Sequence, residues 1–231
     1  VKILTQTQFG NHKLIGDLLS SNTPAELLVL HGAGQGRRSR FELLREELLR
    51  REIGTAAFDG VGHGDTGGTF EGVTLRSRTE QAKKFVRSLD EFSFKHVFGS
   101  SMGAYTAIKL TSDFPIETLI LNVPAVYDLA AYDVLFGPDF SSIIRAENSW
   151  ERSDAWHLLS SFTGKLLVIS AGMDEVIPQA VIEKILQSAS SAKSVEHLEV
   201  KESGHLLSQY MNENPDILLE VASKIEWVIK S

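Results

Sequence analysis

The chain has 231 residues, 42% of them hydrophobic and 23% charged, with a net charge of −7 and no cysteine. This length and balance suit one large α/β domain over residues 1–231 with a sizeable core, and the acidic excess argues against a nucleic-acid partner. The lack of cysteine excludes disulfides, thiolate metal sites and a cysteine nucleophile. No apolar run is long enough to span a bilayer and no secretory leader is read, so a soluble cytoplasmic protein is expected.

In chain order, residues Lys2–Phe9 and Lys13–Leu19 read as two strands joined at Gly10-Asn11, an antiparallel hairpin at a sheet edge. Five short apolar runs follow: Leu27–Leu30, Thr55–Phe58, His96–Phe98, Thr118–Leu121 and Leu166–Ile169. Most end at a glycine, and they read as buried strands of a parallel sheet. Val195–Val200 adds a further strand. Between them lie helical stripes: Phe41, Leu44 and Leu48 after a capping box Ser39-x-x-Glu42; Ala82, Phe85, Val86 and Leu89; Ile182, Ile185 and Leu186. Asn214-Pro215 reads as the N-cap and first residue of a C-terminal helix carrying Leu218, Val221, Ile225 and Val228. Strand–helix alternation of this kind predicts a mostly parallel, doubly wound α/β sheet.

Residues 124–163 break that rhythm. Seven of the chain's aromatic residues lie there, which argues against disorder. The segment reads as a small lid, with Tyr132, Phe136, Trp150 and Trp156 as candidate substrate contacts; the other reading is a helical excursion packed on the sheet for stability alone.

Gly99-Ser100-Ser101-Met102-Gly103 matches G-x-S-x-G between a strand and a helix, the context of a nucleophile elbow. The tight turn lifts Ser101 above the sheet, and the flanking glycines avoid a Cβ clash with strand and helix. A serine needs a base. Of seven histidines, His205 in Glu202-Ser-Gly-His205 is placed best, just past the last strand, with Gly204 expected to let the backbone turn. His157 belongs to the lid segment, His197 alternates within a strand, and His12 and His96 sit near strand starts. Asp174, directly after the strand Leu166–Ile169, is the candidate orienting acid, although an Asp before Pro178 also suits a cap. The order Ser101, Asp174, His205 is that of α/β-hydrolase triads. His31-Gly32-Ala33-Gly34-Gln35 follows a strand and can bring a backbone N–H beside the elbow, so Ala33 and Met102 N–H are the expected oxyanion donors. The same glycines suggest phosphate binding as the alternative, but the Lys-Ser/Thr of a P-loop is missing.

These residues resemble the α/β-hydrolase superfamily over nearly the whole chain, with a loop closest to small esterases and monoacylglycerol-lipase-like members. Phe58-Asp59-Gly60-Val61-Gly62-His63-Gly64-Asp65-Thr66 is similar to the family's D-x-R-G-H-G-x-S segment, with Val61 for Arg and Thr66 for Ser. The resemblance implies a structural role for this segment, and for His63 a loop hydrogen bond. It also implies a serine hydrolase acting through an acyl-enzyme, with no metal or organic cofactor and a small-molecule ester as partner. The aromatic lid points to a small or medium apolar acyl or aryl group. Thioester, lactone, peptide and C–C hydrolysis by the same triad stay open, as does a non-catalytic ligand-binding module.

Overall fold

The computed structural model describes residues 1–21, 24–89 and 92–231. Eight strands form one sheet: β1 (Lys2–Phe9), β2 (His12–Leu19), β3 (Ala25–Leu30), β4 (Thr55–Phe58), β5 (Phe92–Ser100), β6 (Thr118–Asn122), β7 (Lys165–Ala171) and β8 (Ser194–Val200), in the order β1-β2-β4-β3-β5-β6-β7-β8. β1 and β2 form the expected antiparallel hairpin, with Phe9 opposite His12 and Gly10 turning at a φ of 53°. β2 also meets β4 antiparallel, and all later pairs are parallel.

The period-2 pleat sorts the strand side chains into two cores. Leu28 and Leu30 of β3, Val97 of β5 and Leu166 and Val168 of β7 face one core. Leu27, Val29, Phe98, Leu167 and Ile169 face the other. The first core is covered by α2 (Leu75–Arg87), α3 (Met102–Leu110) and α6 (Gln179–Ser188). The second is covered by α1 (Glu42–Arg50), α7 (Leu207–Glu213) and α8 (Pro215–Lys230). Burial on both faces is why these strands read as short continuous apolar runs rather than as an alternation.

Two helix starts differ from expectation. Ser39 falls in a 3-10 turn over Arg38–Phe41, and α1 begins at Glu42 without a side-chain cap. The Ser39/Glu42 spacing therefore spans the 3-10 turn instead of closing a capping box. Pro215 does open α8, but Asn214 offers no cap; its Nδ2 donates back to Tyr210 O at 2.8 Å, tying α8 to α7. α2 is capped by Thr74, whose Oγ1 accepts from Ser77 N–H at 2.9 Å.

Between β6 and β7, residues 124–163 form α4 (Pro138–Arg145), α5 (Ala155–Ser161) and two 3-10 turns, Leu129–Ala131 and Ser149–Arg152. Tyr132, Phe136, Phe140 and Phe162 are buried in the first core. The segment is tied to α3 by Tyr105 Oη donating to Asp154 Oδ1 at 2.7 Å and braced internally by an Arg152–Asp128 ion pair at 2.7 Å.

Candidate active site

The order of strands reverses direction at β3, which has β4 on one side and β5 on the other. Crossovers leave this point in opposite directions, so a crevice opens at the carboxyl ends of β3 and β5. The loop His31-Gly32-Ala33 leaves β3 there, and Ser101 follows β5.

Ser101 occupies the turn from β5 into α3 at φ 52°, ψ −119°, a conformation that L-residues rarely adopt. The turn is held by Ser101 N–H donating to Asn122 O at 2.9 Å and by Ala125 N–H donating to Ser101 O at 3.2 Å. The two glycines are sterically required. A Cβ on Gly99 would lie 2.4 Å from Gly103 O, and one on Gly103 would lie 2.6 Å from Leu30 O. Ser100 is buried and its Oγ accepts from Asn122 Nδ2 at 2.9 Å, so the motif's other serine faces the sheet interior.

The structure brings Ser101, His205 and Asp174 together. Ser101 Oγ lies 3.0 Å from His205 Nε2, and His205 Nδ1 lies 2.9 Å from Asp174 Oδ2. Because the carboxylate only accepts, Nδ1 carries the proton, which leaves Nε2 free to accept from the serine hydroxyl. Asp174 also serves the local turn: its Oδ1 accepts from Val176 N–H at 2.8 Å and Ile177 N–H at 3.0 Å. Burial opposes its ionisation, but the hydrogen bonds from His205 and from these two backbone groups outweigh burial and hold the carboxyl below its ordinary value. The loops carrying Asp174 and His205 bind one another through Gly172 N–H to Val200 O at 3.0 Å and Met173 N–H to Ser203 O at 2.9 Å. Gly204 does not take up a left-handed conformation, and a Cβ there would meet Met173 O at an ordinary 3.5 Å. The turn is thus set by these inter-loop bonds, not by the glycine.

The loop after β3 is held carbonyl by carbonyl. His31 O accepts from Arg78 Nη2 at 2.8 Å. Gly32 O accepts from the His31 ring Nδ1 at 2.6 Å. Ala33 O accepts from Gly36 N–H at 3.0 Å. Gly60 N–H donates to His31 Nε2 at 3.0 Å, so the ring is the neutral Nδ1–H tautomer. Burial first, and then the charge of Arg78, push the His31 imidazole well below its ordinary value. A trans peptide points its C=O and N–H in opposite directions. Drawing Gly32 O toward the imidazole therefore turns the Ala33 N–H away from it. Gly32 packs so closely on the elbow that a Cβ there would lie 3.1 Å from Ser101 Cβ. A small cavity joins Gly32 and Ala33 to Ser101 and His205. Met102 is the first residue of α3, so its N–H is one of the orphaned donors of a helix start.

The segment with Val61 in place of arginine is held by Arg38, which pairs with Asp59 and Asp65 of that segment and with Asp17 of β2 at 2.8 Å. Thr66 supplies the hydroxyl expected from serine: Oγ1 donates to Asp59 O at 2.6 Å and accepts from Ile15 N–H at 2.8 Å. His63 makes the loop contact expected of it, Nδ1 to Val61 O at 3.2 Å, and burial lowers its pKa to about 4.

A cavity of about 580 Å³ adjoins Ser101, large enough for a drug-sized ligand. Its walls include Ala125, Val126, Ile144, Trp150, Ile177 and Val181, with Tyr127 lining it as well and Arg145, Glu147 and Asn148 as polar members. Of the four aromatic candidates, Trp150 lines this cavity. Tyr132 instead packs beneath Arg76 and Lys109, Phe136 stacks on Phe70 and meets Phe140 edge to face, and Trp156 abuts Trp150 and donates from Nε1 to Trp150 O at 3.0 Å. His157 is exposed on α5 and does not line the cavity; His197 bonds Ser170 Oγ at 2.8 Å. Val176, Ile177 and Pro178 line it too, directly after Asp174, and the Val-Ile-Pro pattern was the available signal for them. Among the described residues no group of His, Asp and Glu is arranged to hold a metal ion.

This sheet order, elbow and strand-end arrangement define the α/β-hydrolase class. The chain belongs to the alpha/beta hydrolase family, whose model matches residues 27–168. No curated protein sequence matches the chain. Among solved structures it is similar to the Pyrococcus furiosus esterase Pf2001, at 20% identity and a TM-score of 0.74, covering 100% of this chain and 92% of that one. It is also similar to Est1E from Butyrivibrio proteoclasticus, solved with ferulic acid bound, at 17% identity and a TM-score of 0.73, covering 98% of this chain and 100% of that one. The thioesterase domain from the curacin biosynthetic pathway is a third likeness, at 15% identity and a TM-score of 0.70, covering 100% of both chains.

Proposed function

We propose that the chain is a serine carboxylic ester hydrolase that acts on a small or medium apolar acyl or aryl ester. The observation that carries this reading is the relay from Ser101 Oγ through His205 to Asp174, at 3.0 and 2.9 Å, beside a cavity whose wall includes Ala125, Val126, Ile144, Trp150, Ile177 and Val181. In this mechanism Ser101 attacks the ester carbonyl while His205 Nε2 takes its proton. Asp174 keeps the His205 tautomer and stabilises the imidazolium. The N–H groups of Ala33 and Met102 hold the oxyanion; each such donor is worth roughly 10²–10³ in rate. His205 then returns the proton to the leaving alcohol and activates water to release the acid. One of the named structural relatives is an esterase and another is a thioesterase domain, so the shared fold suits acyl transfer without choosing the leaving group.

A fluorophosphonate probe should add one label per chain at Ser101, found by peptide mass mapping, and Ser101→Ala should abolish both labelling and ester hydrolysis. An unlabelled wild-type protein would favour a binding module. Rates on short-chain, long-chain and aryl esters then test the acyl preference, and indifference to the acyl group counts against it.

A further inference from the structure

Arg78 is the anomaly in the core behind the site. It sits on α2 at 7% exposure, and its Nε and Nη1 meet no hydrogen-bond partner. No carboxylate pairs with it among the described residues; the one hydrogen bond of its guanidinium among them runs from Nη2 to His31 O at 2.8 Å. Removing a guanidinium from water without a counter-charge is costly. Packing alone would be served better by an apolar side chain of the same length.

The His31–Gly32 peptide that Arg78 grips leads directly into Gly32–Ala33. The two restraints work in series: Arg78 fixes the first carbonyl, and the His31 ring fixes the second. The charge of Arg78 adds to burial in keeping that ring neutral, so Nε2 continues to accept from Gly60 N–H. We propose that Arg78 is a positioning residue for the reaction at Ser101: through the His31 carbonyl its guanidinium sets the direction of the Ala33 N–H that meets the oxyanion. This rests on the acyl-transfer reading above. Arg78 touches neither substrate nor Ser101 in this scheme, and its effect belongs to the transition state, where the carbonyl oxygen has become an anion.

The test uses the full chain with Arg78→Met and Arg78→Lys, each normalised to the fraction that a fluorophosphonate labels. With a p-nitrophenyl ester, Arg78→Met should lose roughly 30–100-fold in kcat with KM within about twofold, less than deletion of an oxyanion donor because the donor is misaimed rather than absent. Arg78→Lys keeps the charge and one donor and should lose only about fivefold, since an ammonium lacks the planar fork of a guanidinium. The inhibition constant of a trifluoromethyl ketone, whose adduct carries the oxyanion, should rise in step with the fall in kcat/KM. Wild-type kcat in Arg78→Met, a loss confined to KM, or equal losses in the two variants overturns the proposal. If Arg78→Met does not fold, Arg78→Leu, likewise without a donor, takes its place with the same expectations and the same overturning results. A labelled, active wild type with unaffected variants overturns the role of Arg78 alone; a wild type that neither labels nor hydrolyses esters overturns the acyl-transfer reading with it.

Discussion

Ser101 carries its own backbone cost. At φ 52°, ψ −119° a side chain is strained, whereas glycine is at ease. Replacing it therefore separates conformation from chemistry. Ser101→Gly and Ser101→Ala should both be inactive, but the glycine variant should be the more stable of the two by about 1 kcal/mol, read as midpoint shifts in urea at constant m-value. Asp174 makes a prediction in pH. Its folded pKa lies below its ordinary 3.8, so it contributes stability that is complete above that value and is lost as pH falls through the folded pKa. The stability gap between wild type and Asp174→Asn should accordingly hold at neutral pH and shrink below about pH 4, as acid titrations of both proteins at fixed urea will show. Asp174→Asn should also lower kcat by up to about 10⁴-fold, because the amide favours the wrong His205 tautomer.

At the scale of elements, the proposed triad stands on strand ends while the cavity wall is borrowed from residues 124–163 and from the turn after β7. Tyr127 and Trp150 are the aromatics shared by wall and segment, and Trp150 is the larger. Trp150→Ala should raise kcat/KM for bulky acyl esters relative to acetyl esters, measured as a ratio within each protein so that any loss of stability cancels. The sequence was most informative where burial is symmetrical: Leu27–Leu30 and Leu166–Ile169 read directly as strands because both faces are covered. It was less so where a local pattern had two solutions. Ser39 and Glu42 have capping-box spacing, yet a 3-10 turn absorbs Ser39. Asn214 has cap chemistry, yet tertiary packing turns its amide back to Tyr210. Tyr132 and Phe136 announce an aromatic cluster, but nothing in their spacing tells a cavity wall from a core. Arg78 gave no signal, because an arginine on a helix ordinarily reads as a solvated face; only its burial and its orphaned nitrogens mark it out.

For the whole molecule, the hairpin edge is joined to the centre by charge. Asp17 on β2 is fully buried and pairs with Arg45 at 2.5 Å and Arg38 at 2.8 Å, and Arg38 reaches on to Asp59 and Asp65. Asp17→Asn would leave the fully buried Arg45 guanidinium without a counter-charge, while Arg38 keeps Asp59 and Asp65, and should cost about 3–5 kcal/mol, measured by urea unfolding, while the labelling rate of Ser101 in the folded fraction stays near wild type. The candidate site was legible because its three side chains lie at strand ends in a recognisable order; the clamp around His31 was not, because it is assembled from α2 and two loops far apart in the chain. The placement of residues 124–163 has one more consequence. They leave the sheet after β6 and return at β7 as a single uninterrupted stretch, and neither Ser101, Asp174 nor His205 lies within it. A change confined to that stretch can therefore reshape the Trp150 side of the cavity while leaving the strand ends that hold those three side chains untouched.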